Sequence, residues 1–389
     1  MKPIIHARTI KGVMHDVQMA EPIVFVDNEA RGRSGHMSHA ITEFAPGRII
    51  AFNSNCSKFR CLGHSAHGWL EYAVSNDYGA TWGERKTWQW SKDVLLDGCI
   101  TYSAEKAVAL PNGDVAVFLL VNTQIAEVSC EPWWYPPQVA IMQPDTNTWG
   151  QPYTITNYAG RIYDVMVKDG AVYVLQSCNI AEDGFWNHQP EHCYRLFKSV
   201  DNCQTFDEVC VVPFTSQMYL CYGNMTISPK GELICYAYNI EDEVNMAYAV
   251  SPDFGTTWTE AGNSYVKQRI RNPQIGRLDG QYILIGRAGQ SNHETIHSMV
   301  IYTSADGIHW DDGILLGSNE RRSCFYSDNL TITLPNGKQR MYVKYSENVL
   351  VNSEVEALPR VEIPKGPTDF VPKCQVNGML TYFETIDKK

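Results

Sequence analysis

The chain of 389 residues is 44% apolar and 19% charged, which is ample for a large buried core. Its formal net charge of −11 argues against nucleic acids and anionic membranes as partners. No stretch approaches the length of a membrane span, and the opening MKPIIHAR lacks the apolar segment of a signal peptide. We therefore expect a cytoplasmic protein that binds neither a membrane nor a nucleic acid.

The chain contains 12 cysteines, with no CxxC or zinc-finger spacing. Cys178 and Cys235 lie in strand-like apolar runs, where a cysteine commonly serves as a small buried hydrophobic residue. We expect reduced thiols.

A short turn motif recurs along the chain, each time after a strand-like run. In chain order it reads SNDYGATW at 75–82, SVDNCQTF at 199–206, SPDFGTTW at 251–258 and SADGIHW at 304–310. The Asp of such a turn hydrogen-bonds backbone amides, the Gly supplies a positive φ, and the aromatic residue packs beneath the loop. Four copies predict a repeat architecture.

A second repeat runs between these turns, in which a polar residue starts an alternating apolar strand that ends at a Pro/Asx-Gly turn. Its six copies start near residues 38, 104, 163, 223, 271 and 328, a spacing that suits four short strands with their loops. Almost nothing has helical periodicity. The pattern predicts an all-β fold, a single six-bladed β-propeller over residues 1–389 with four-stranded antiparallel blades. Residues 1–30 are expected to close the last blade, which removes an exposed edge.

The repeated turn resembles the Asp box, or BNR repeat, of the sialidase (neuraminidase) superfamily, whose members are β-propellers. The resemblance covers turns along most of the chain and implies the propeller fold. In that superfamily the boxes lie on the face away from the active site, so they imply little about chemistry. We expect all four boxes between third and fourth strands, opposite the site.

Propeller topology predicts which residues share a face, because inner-strand starts and second-to-third-strand loops converge on one mouth. Aligning the six units on their Gly turns gives equivalent positions to His39, Glu105, Asp164, Asn224, Asn272 and Asn329. Shortly before or beside these positions stand His36, Tyr102, Arg161, Tyr222, Arg269, Arg271, Tyr326 and Asp328. The loops add His64, His67, Trp133 and Trp186.

So many ionisable side chains in one funnel are costly unless they bind something polar. Aromatic rings beside arginines and carboxylates are typical of a sugar site. The simpler alternative is that these residues satisfy backbone groups along the channel.

The resemblance to sialidases implies roles for several of these residues. Catalytic members use a Tyr nucleophile, a Glu that activates it, three Arg that bind the substrate carboxylate and an Asp acid/base. The segment FYSDNL at 325–330 resembles the nucleophile segment, which makes Tyr326 the implied nucleophile. Its proton would pass to Glu105 or Asp328, and Arg269 or Arg271 matches the third arginine.

Other positions depart from the family pattern. GHMSH at 35–39 stands where the first arginine is expected, and blade four lacks the second, so Arg161 is a further candidate for binding the carboxylate. The leaving oxygen would be protonated by His64, His67 or Asp164. The residues assigned to substrate binding are Arg161, Arg269, Arg271, His36, His39, Tyr102, Tyr222, Trp133 and Trp186.

The leading hypothesis is a sialidase-like exo-glycoside hydrolase that releases an acidic sugar, of the sialic or uronic acid type, from glycan ends. A uronate lyase with a His base and a Tyr acid would use the same funnel, and a non-catalytic propeller would bind glycans without turnover. A carbohydrate is the expected partner in each case. No cofactor is expected; the alternative is a divalent metal bound by His36, His39, His64 and His67.

Overall fold

Most sheets of this fold consist of strands that are consecutive in the chain, whereas one sheet combines strands from the N-terminal and C-terminal ends of the chain. The computed structural model describes residues 5–35, 38–57, 68–98, 100–123, 133–179, 192–288, 297–319, 326–348 and 376–386. Within these residues the strands form six antiparallel sheets, the blades of a β-propeller. The prediction of a six-bladed all-β propeller is therefore confirmed.

The N-terminal strands are β1 (Arg8–Ile10), β2 (Asp16–Met19) and β3 (Ile23–Val26). Blade one comprises β4 (Arg33–Ser34), β5 (Ile41–Ala45), β6 (Arg48–Ser57), β7 (Gly68–Ser75) and β8 (Lys86–Thr87), and is followed by α1 (Gln89–Gly98). Blade two comprises β9 (Ile100–Ala109), β10 (Val115–Thr123), β11 (Trp133–Trp134), β12 (Gln138–Gln143), β13 (Thr148–Trp149) and β14 (Tyr153–Thr154).

Blade three comprises β15 (Ala159–Lys168), β16 (Ala171–Asn179), β17 (Cys193–Ser199) and β18 (Asp207–Val211). Blade four comprises β19 (Leu220–Ile227), β20 (Leu233–Asn239), β21 (Asn245–Ser251) and β22 (Glu260–Tyr265). Blade five comprises β23 (Arg271–Leu278), β24 (Gln281–Ala288), β25 (His297–Ser304) and β26 (Ile314–Asn319). Blade six contains β27 (Ser327–Thr333), β28 (Gln339–Asn348) and β29 (Val376–Ile386).

The ring closes through strands from both ends of the chain. Each inner strand contacts the inner strand of the next blade, and β27 contacts β5. In blade six, β2 pairs with β29 and β1 pairs with β2, while β3 also lies against β29. Buried Gln281 of blade five holds the turn before β2, because its Oε1 accepts from the amides of Met14 (2.7 Å) and His15 (3.1 Å).

The four repeated turns lie between the third and fourth strands of blades one, three, four and five. In blade one, Ser75 Oγ donates to Asp77 Oδ1 (2.8 Å) and accepts from the amide of Gly79 (2.8 Å). Asp77 Oδ1 also accepts from the Thr81 amide (2.8 Å). The Tyr78 amide donates to the carbonyl of Gly47, at the turn that ends β5, so this motif lies at the end of the blade away from the inner-strand starts.

One element was not predicted. The ten residues of α1 connect blades one and two, and the segment is too short for its period to stand out from sequence. Ser91 fixes its start by accepting from the Leu70 amide (3.0 Å) and donating to the Trp88 carbonyl (2.7 Å). No helix in the described part of the chain is long and apolar enough to cross a membrane.

The cores lie between neighbouring blades and consist of aromatic and aliphatic residues from the inner, second and third strands. Six cysteines whose side chains the structure describes, Cys178 and Cys235 among them, are free thiols, as predicted.

The inner strands of blades two to five are bulged near their starts. The extra residues are Glu105 in β9, Tyr163 in β15, Tyr222 in β19, and Asn272 with Pro273 in β23. A bulge re-aims one side chain relative to the regular alternation of a strand. All of these residues except Pro273 line one cavity at the axis, so the bulges build the site.

Candidate active site

A cavity opens at the inner-strand starts, where propeller topology predicted a mouth. Its volume is about 40 Å³. Its lining residues come from every blade: Ser38, His39, Ala104, Glu105, Lys106, Arg161, Ile162, Tyr163, Tyr222, Asn272, Gln274, Tyr326 and Ser327. We call this space the mouth cavity.

Glu105 and Arg161 form a buried, two-point ion pair beside the mouth cavity. Arg161 Nε donates to Glu105 Oε2 (2.6 Å) and Nη2 donates to Oε1 (2.8 Å). The side chains are only 5% and 3% exposed. Burial raises the pKa of Glu105, and the Arg161 guanidinium opposes that rise. Both carboxylate oxygens of Glu105 are thus engaged by one guanidinium.

Arg161 also contacts a cluster of tyrosines. Its Nη1 donates to the Tyr222 hydroxyl (2.8 Å), and its guanidinium lies 5.0 Å from the Tyr222 ring centre and 5.2 Å from that of Tyr163. The Tyr222 and Tyr326 side chains are hydrogen-bonded, with ring centres 5.7 Å apart. Burial raises the pKa of Tyr222 well above its usual value, so this phenol stays protonated at neutral pH.

A second cationic group lies on the blade-five side. Arg271 and Arg287 are direct partners across β23 and β24. Glu243, from the loop between the second and third strands of blade four, is 1% exposed and lies 3.1 Å (Oε1) from Arg271 Nε. Burial raises the pKa of Glu243, whereas Arg271, Arg287 and Arg269 act to lower it. One buried carboxylate therefore faces three arginines.

Tyr326 interacts electrostatically with Arg161 and with Arg271. Burial alone would lower the pKa of Arg271, but Tyr238, Glu243 and Tyr326 together raise it. Burial alone would also lower the pKa of Arg161. Glu105, Tyr222 and Tyr163 raise it, and Tyr326 adds a smaller contribution in the same direction. The Tyr326 phenol thus interacts electrostatically with two guanidinium groups.

Lys106 forms the floor of the mouth cavity. Its Nζ donates to Asp328 Oδ1 (2.6 Å) and to the side-chain oxygen of Gln274 (2.6 Å), and lies 3.5 Å from Asp164 Oδ1. Burial alone would lower the pKa of Lys106, but the two aspartates outweigh it and raise the pKa. A second cavity of about 180 Å³ lies beneath it, lined by Lys106, Asp164, Asp328 and Asn329 among others.

Several predicted site residues also form hydrogen bonds between neighbouring inner strands. Asp164 Oδ2 accepts from the Met225 amide (2.7 Å), and Asp328 Oδ2 accepts from the Ile41 amide (3.3 Å). Asn224 donates to the Pro273 carbonyl (2.7 Å). These contacts agree with the simpler alternative to a sugar site, in which polar residues along the channel satisfy backbone groups.

Other predicted residues are spread around the mouth. Tyr102 packs against Trp90 and Trp88, with ring centres 4.8 and 6.3 Å apart. Arg269 is half-buried with φ 60°. Trp133 starts β11, which pairs with the end of β10. His36, His64, His67 and Trp186 lie outside the described residues.

The alignment on Gly turns was wrong in one respect. When the inner strands are aligned on their bulges, Glu105 corresponds to Tyr163 and Tyr222, rather than to Asp164 and Asn224. A single inserted residue shifts the register, and apolar alternation alone does not reveal it.

Sequence reasoning assigned no role to Lys106, Tyr163, Glu243 or Lys344. Lys344 is wholly buried in blade six, where its amine contacts His39 Nδ1 (3.4 Å). A charged residue inside an apolar strand was the available signal, because such a residue needs a partner when buried.

A metal site is not assembled by the described residues. They contain no group of three or more His, Cys, Asp or Glu side chains that could hold an ion. Of the four histidines considered for a metal, His39 alone falls within the described ranges.

Solved structures share this architecture. A protein of unknown function from Dyadobacter fermentans DSM 18053 aligns with a TM-score of 0.66 and 14% identity, over 95% of this chain and 99% of its own. The Hadza microbial sialidase Hz136 aligns with a TM-score of 0.61 and 14% identity, over 84% of this chain and 66% of its own. The fold is that of sialidases.

A Trypanosoma rangeli sialidase in complex with sialic acid aligns with a TM-score of 0.56 and 10% identity, over 93% of this chain and 58% of its own. This chain therefore spans only part of the length of the two sialidases. No family model and no curated protein matches the sequence. At these identities the likeness concerns the fold, and function has to be argued from the site.

Proposed function

We propose that this protein is a sialidase-like exo-glycoside hydrolase that removes an acidic sugar from glycan ends, with Tyr326 as its nucleophile. The observation that carries the proposal is that Tyr326 lines the mouth cavity together with Arg161 and interacts electrostatically with both Arg161 and Arg271. Positive charge near this side chain suits both an ionised phenol and an anionic sugar. The fold shared with sialidases is consistent with this chemistry.

Activation of Tyr326 would be electrostatic. A phenol is a weak nucleophile at its usual pKa of about 10, so it needs a base or nearby positive charge at neutral pH. Glu105 is occupied by Arg161 at both oxygens, so we assign it to holding Arg161 rather than to taking the Tyr326 proton. Tyr222 accepts from Arg161, which leaves its own hydrogen available to stabilise a Tyr326 phenolate.

The sugar carboxylate would bind at the blade-five arginines. Glu243 compensates one positive charge of the group formed by Arg269, Arg271 and Arg287. This group outnumbers its carboxylate in charge, and Arg271 within it is coupled to Tyr326, so an anionic ligand would bind here. In the reaction, the Tyr326 proton passes to solvent, the phenolate oxygen attacks the anomeric carbon, and the leaving oxygen takes a proton from His64 or His67. Water then hydrolyses the glycosyl-enzyme, which frees the Tyr326 oxygen, and returns a proton to that histidine.

A panel of 4-methylumbelliferyl glycosides tests the proposal directly. The sialic acid or glucuronic acid conjugate should be cleaved, whereas the galactose conjugate should not. The variant Tyr326→Phe should keep the fold and lose turnover. Binding of an acidic sugar without turnover of any conjugate would support the non-catalytic alternative.

A uronate lyase is the second candidate, because His39 and Tyr326 line the same cavity. In that reaction His39 would remove the proton next to the uronate carboxylate and Tyr326 would protonate the leaving oxygen. A lyase product contains a carbon–carbon double bond, so a rise in ultraviolet absorbance on uronate polymers distinguishes it from hydrolysis.

A further inference from the structure

Blade three carries two cysteines directly opposite each other on neighbouring strands. Cys178, near the end of β16, is the cross-strand partner of Cys193, the first residue of β17. They form the final pair between these strands, at the end where the inner strand β15 starts and therefore towards the mouth. Both side chains belong to one apolar cluster, so the two thiols lie on the same face of the sheet. Each is a free thiol in this structure.

The backbone at this pair brings the two residues within reach of a disulfide. The next residue, Tyr194, accepts from the Val212 amide and donates its own amide to the Gln217 side chain (3.2 Å), on the side away from β16. Backbone groups alternate in direction along a strand, so Cys193 directs its amide and carbonyl towards Cys178. The Cα atoms of such a hydrogen-bonded pair are about 5.5 Å apart, within the range of about 4.4–6.8 Å that disulfides span.

A disulfide between these strands is strained. The Cβ atoms of directly opposite residues stand about 4.5–5.5 Å apart, whereas a relaxed disulfide brings them to about 3.8 Å. The two strands must therefore draw together locally, which is least costly at the last pair, where the ladder ends. A strained disulfide is reduced more readily than a relaxed one, so exchange with free thiols can reverse it.

The two thiols differ in their access to solvent. Cys178 is 2% exposed, whereas Cys193 is half-buried at the margin of the cluster. Burial raises the pKa of Cys193, and the guanidinium of Arg195 opposes that rise. Burial raises the pKa of Cys178 well above its usual value, and the nearby Cys193 adds to the rise. Cys193 is thus the thiol that can meet an oxidant from solution, and Cys178 can react with it inside the protein.

We propose that Cys178 and Cys193 are a reversible modification site, oxidised to a disulfide by a low-molecular-weight disulfide such as oxidised glutathione. The Cys193 thiolate attacks one sulfur of the oxidant, forms a mixed disulfide and releases one glutathione thiolate. The Cys178 thiolate then attacks the Cys193 sulfur, which forms the protein disulfide and releases the second glutathione. Each cysteine loses its proton, the protein loses two electrons, and the oxidant becomes two thiols. The crosslink joins β16 to β17 at their mouth end.

Peptide mapping of the full chain tests the site. The protein is incubated with oxidised glutathione at mildly alkaline pH, remaining thiols are blocked with N-ethylmaleimide, and the unreduced peptides are analysed by mass spectrometry. We expect a peptide pair joined through Cys178 and Cys193, which disappears on treatment with an excess of reduced glutathione. In Cys178→Ser the second step is blocked, so Cys193 should accumulate as its mixed disulfide with glutathione.

Cys210→Ser is the matched control, because Cys210 is also half-buried but stands opposite Leu196. This variant should form the crosslink as the wild type does. Recovery of Cys178 and Cys193 as blocked thiols, or of Cys193 joined to a different cysteine, would overturn the proposal, as would a crosslink that reduced glutathione does not reverse. If Cys178→Ser does not fold, the wild-type peptide map alone decides. The experiment needs no substrate, so its outcome is independent of the proposed function.

Discussion

Arg271 and Arg287 stand directly opposite each other on adjacent strands at the mouth of the propeller. Like charges at paired positions of an antiparallel sheet are destabilising. Glu243 compensates part of this cost, since its buried carboxylate lies against Arg271. An arrangement that breaks a local rule of stability is expected where function requires it, and here Arg271 of the pair interacts electrostatically with Tyr326.

Replacing either arginine should weaken binding of acidic sugars selectively. In Arg271→Met or Arg287→Met, we expect a loss of about 2–5 kcal/mol for a sialic or uronic acid ligand, as for a desolvated ion pair. Calorimetric titration with acidic and neutral glycosides measures the difference. Arg277→Met is the control, because Arg277 is exposed further along the same strand. Equal losses for both ligand types would indicate a structural role for the pair.

Tyr222 should matter for turnover, beyond its role in packing. In Tyr222→Phe the ring contacts with Tyr163 and Tyr326 remain, while the hydroxyl between Arg161 and Tyr326 is lost. We expect kcat to fall by orders of magnitude in Tyr326→Phe and by a smaller factor in Tyr222→Phe, with KM little changed in both. The exposed Tyr265→Phe variant is the control. Wild-type kcat in Tyr326→Phe would remove this residue from the mechanism.

The fold was predictable because its signals are local and repeated. Each turn of the type around Ser75 and Asp77 satisfies its own backbone within a few residues, so the sequence motif and the hydrogen bonds coincide. Closure through β2 was suggested by the need to cover an edge.

The site was predictable only in part, because its contacts join distant segments. A cavity does lie at the predicted inner-strand starts, but Lys106 binds Asp328, 222 residues away, and no local pattern reveals such a pair. The bulges at Glu105, Tyr163 and Tyr222 added a second obstacle, since they shift side-chain direction without changing composition.

Acid should destabilise the protein through His192. This side chain is 1% exposed, and burial lowers its pKa to about 4. The unfolded chain protonates the same imidazole below about pH 6.5, so it takes up more protons than the folded state as the pH falls from 6.5 towards 4. This contribution to stability is present above pH 6.5 and is lost towards pH 4.

Urea unfolding at pH 7 and pH 5 measures the effect. His192 alone should remove roughly 2 kcal/mol between these pH values. His192→Phe retains the edge contact with Tyr194 and should flatten the pH dependence, whereas His6→Asn, at an exposed position, should not. An unchanged pH dependence in His192→Phe would mean that other groups dominate the acid response.

Glu105 and Arg161 should behave as one unit in stability measurements. In Glu105→Gln the buried guanidinium loses its counter-charge, and we expect the free energy of unfolding to fall by about 3–5 kcal/mol. The double variant Glu105→Leu/Arg161→Met leaves no buried charge and should recover much of that loss. The exposed pair of Arg48 and Asp145 provides the control, since Asp145→Asn should cost no more than about 1 kcal/mol. Strictly additive losses at Glu105 and Arg161 would contradict the coupling, and full turnover in Glu105→Gln would show that Tyr326 does not need a guanidinium held in this position.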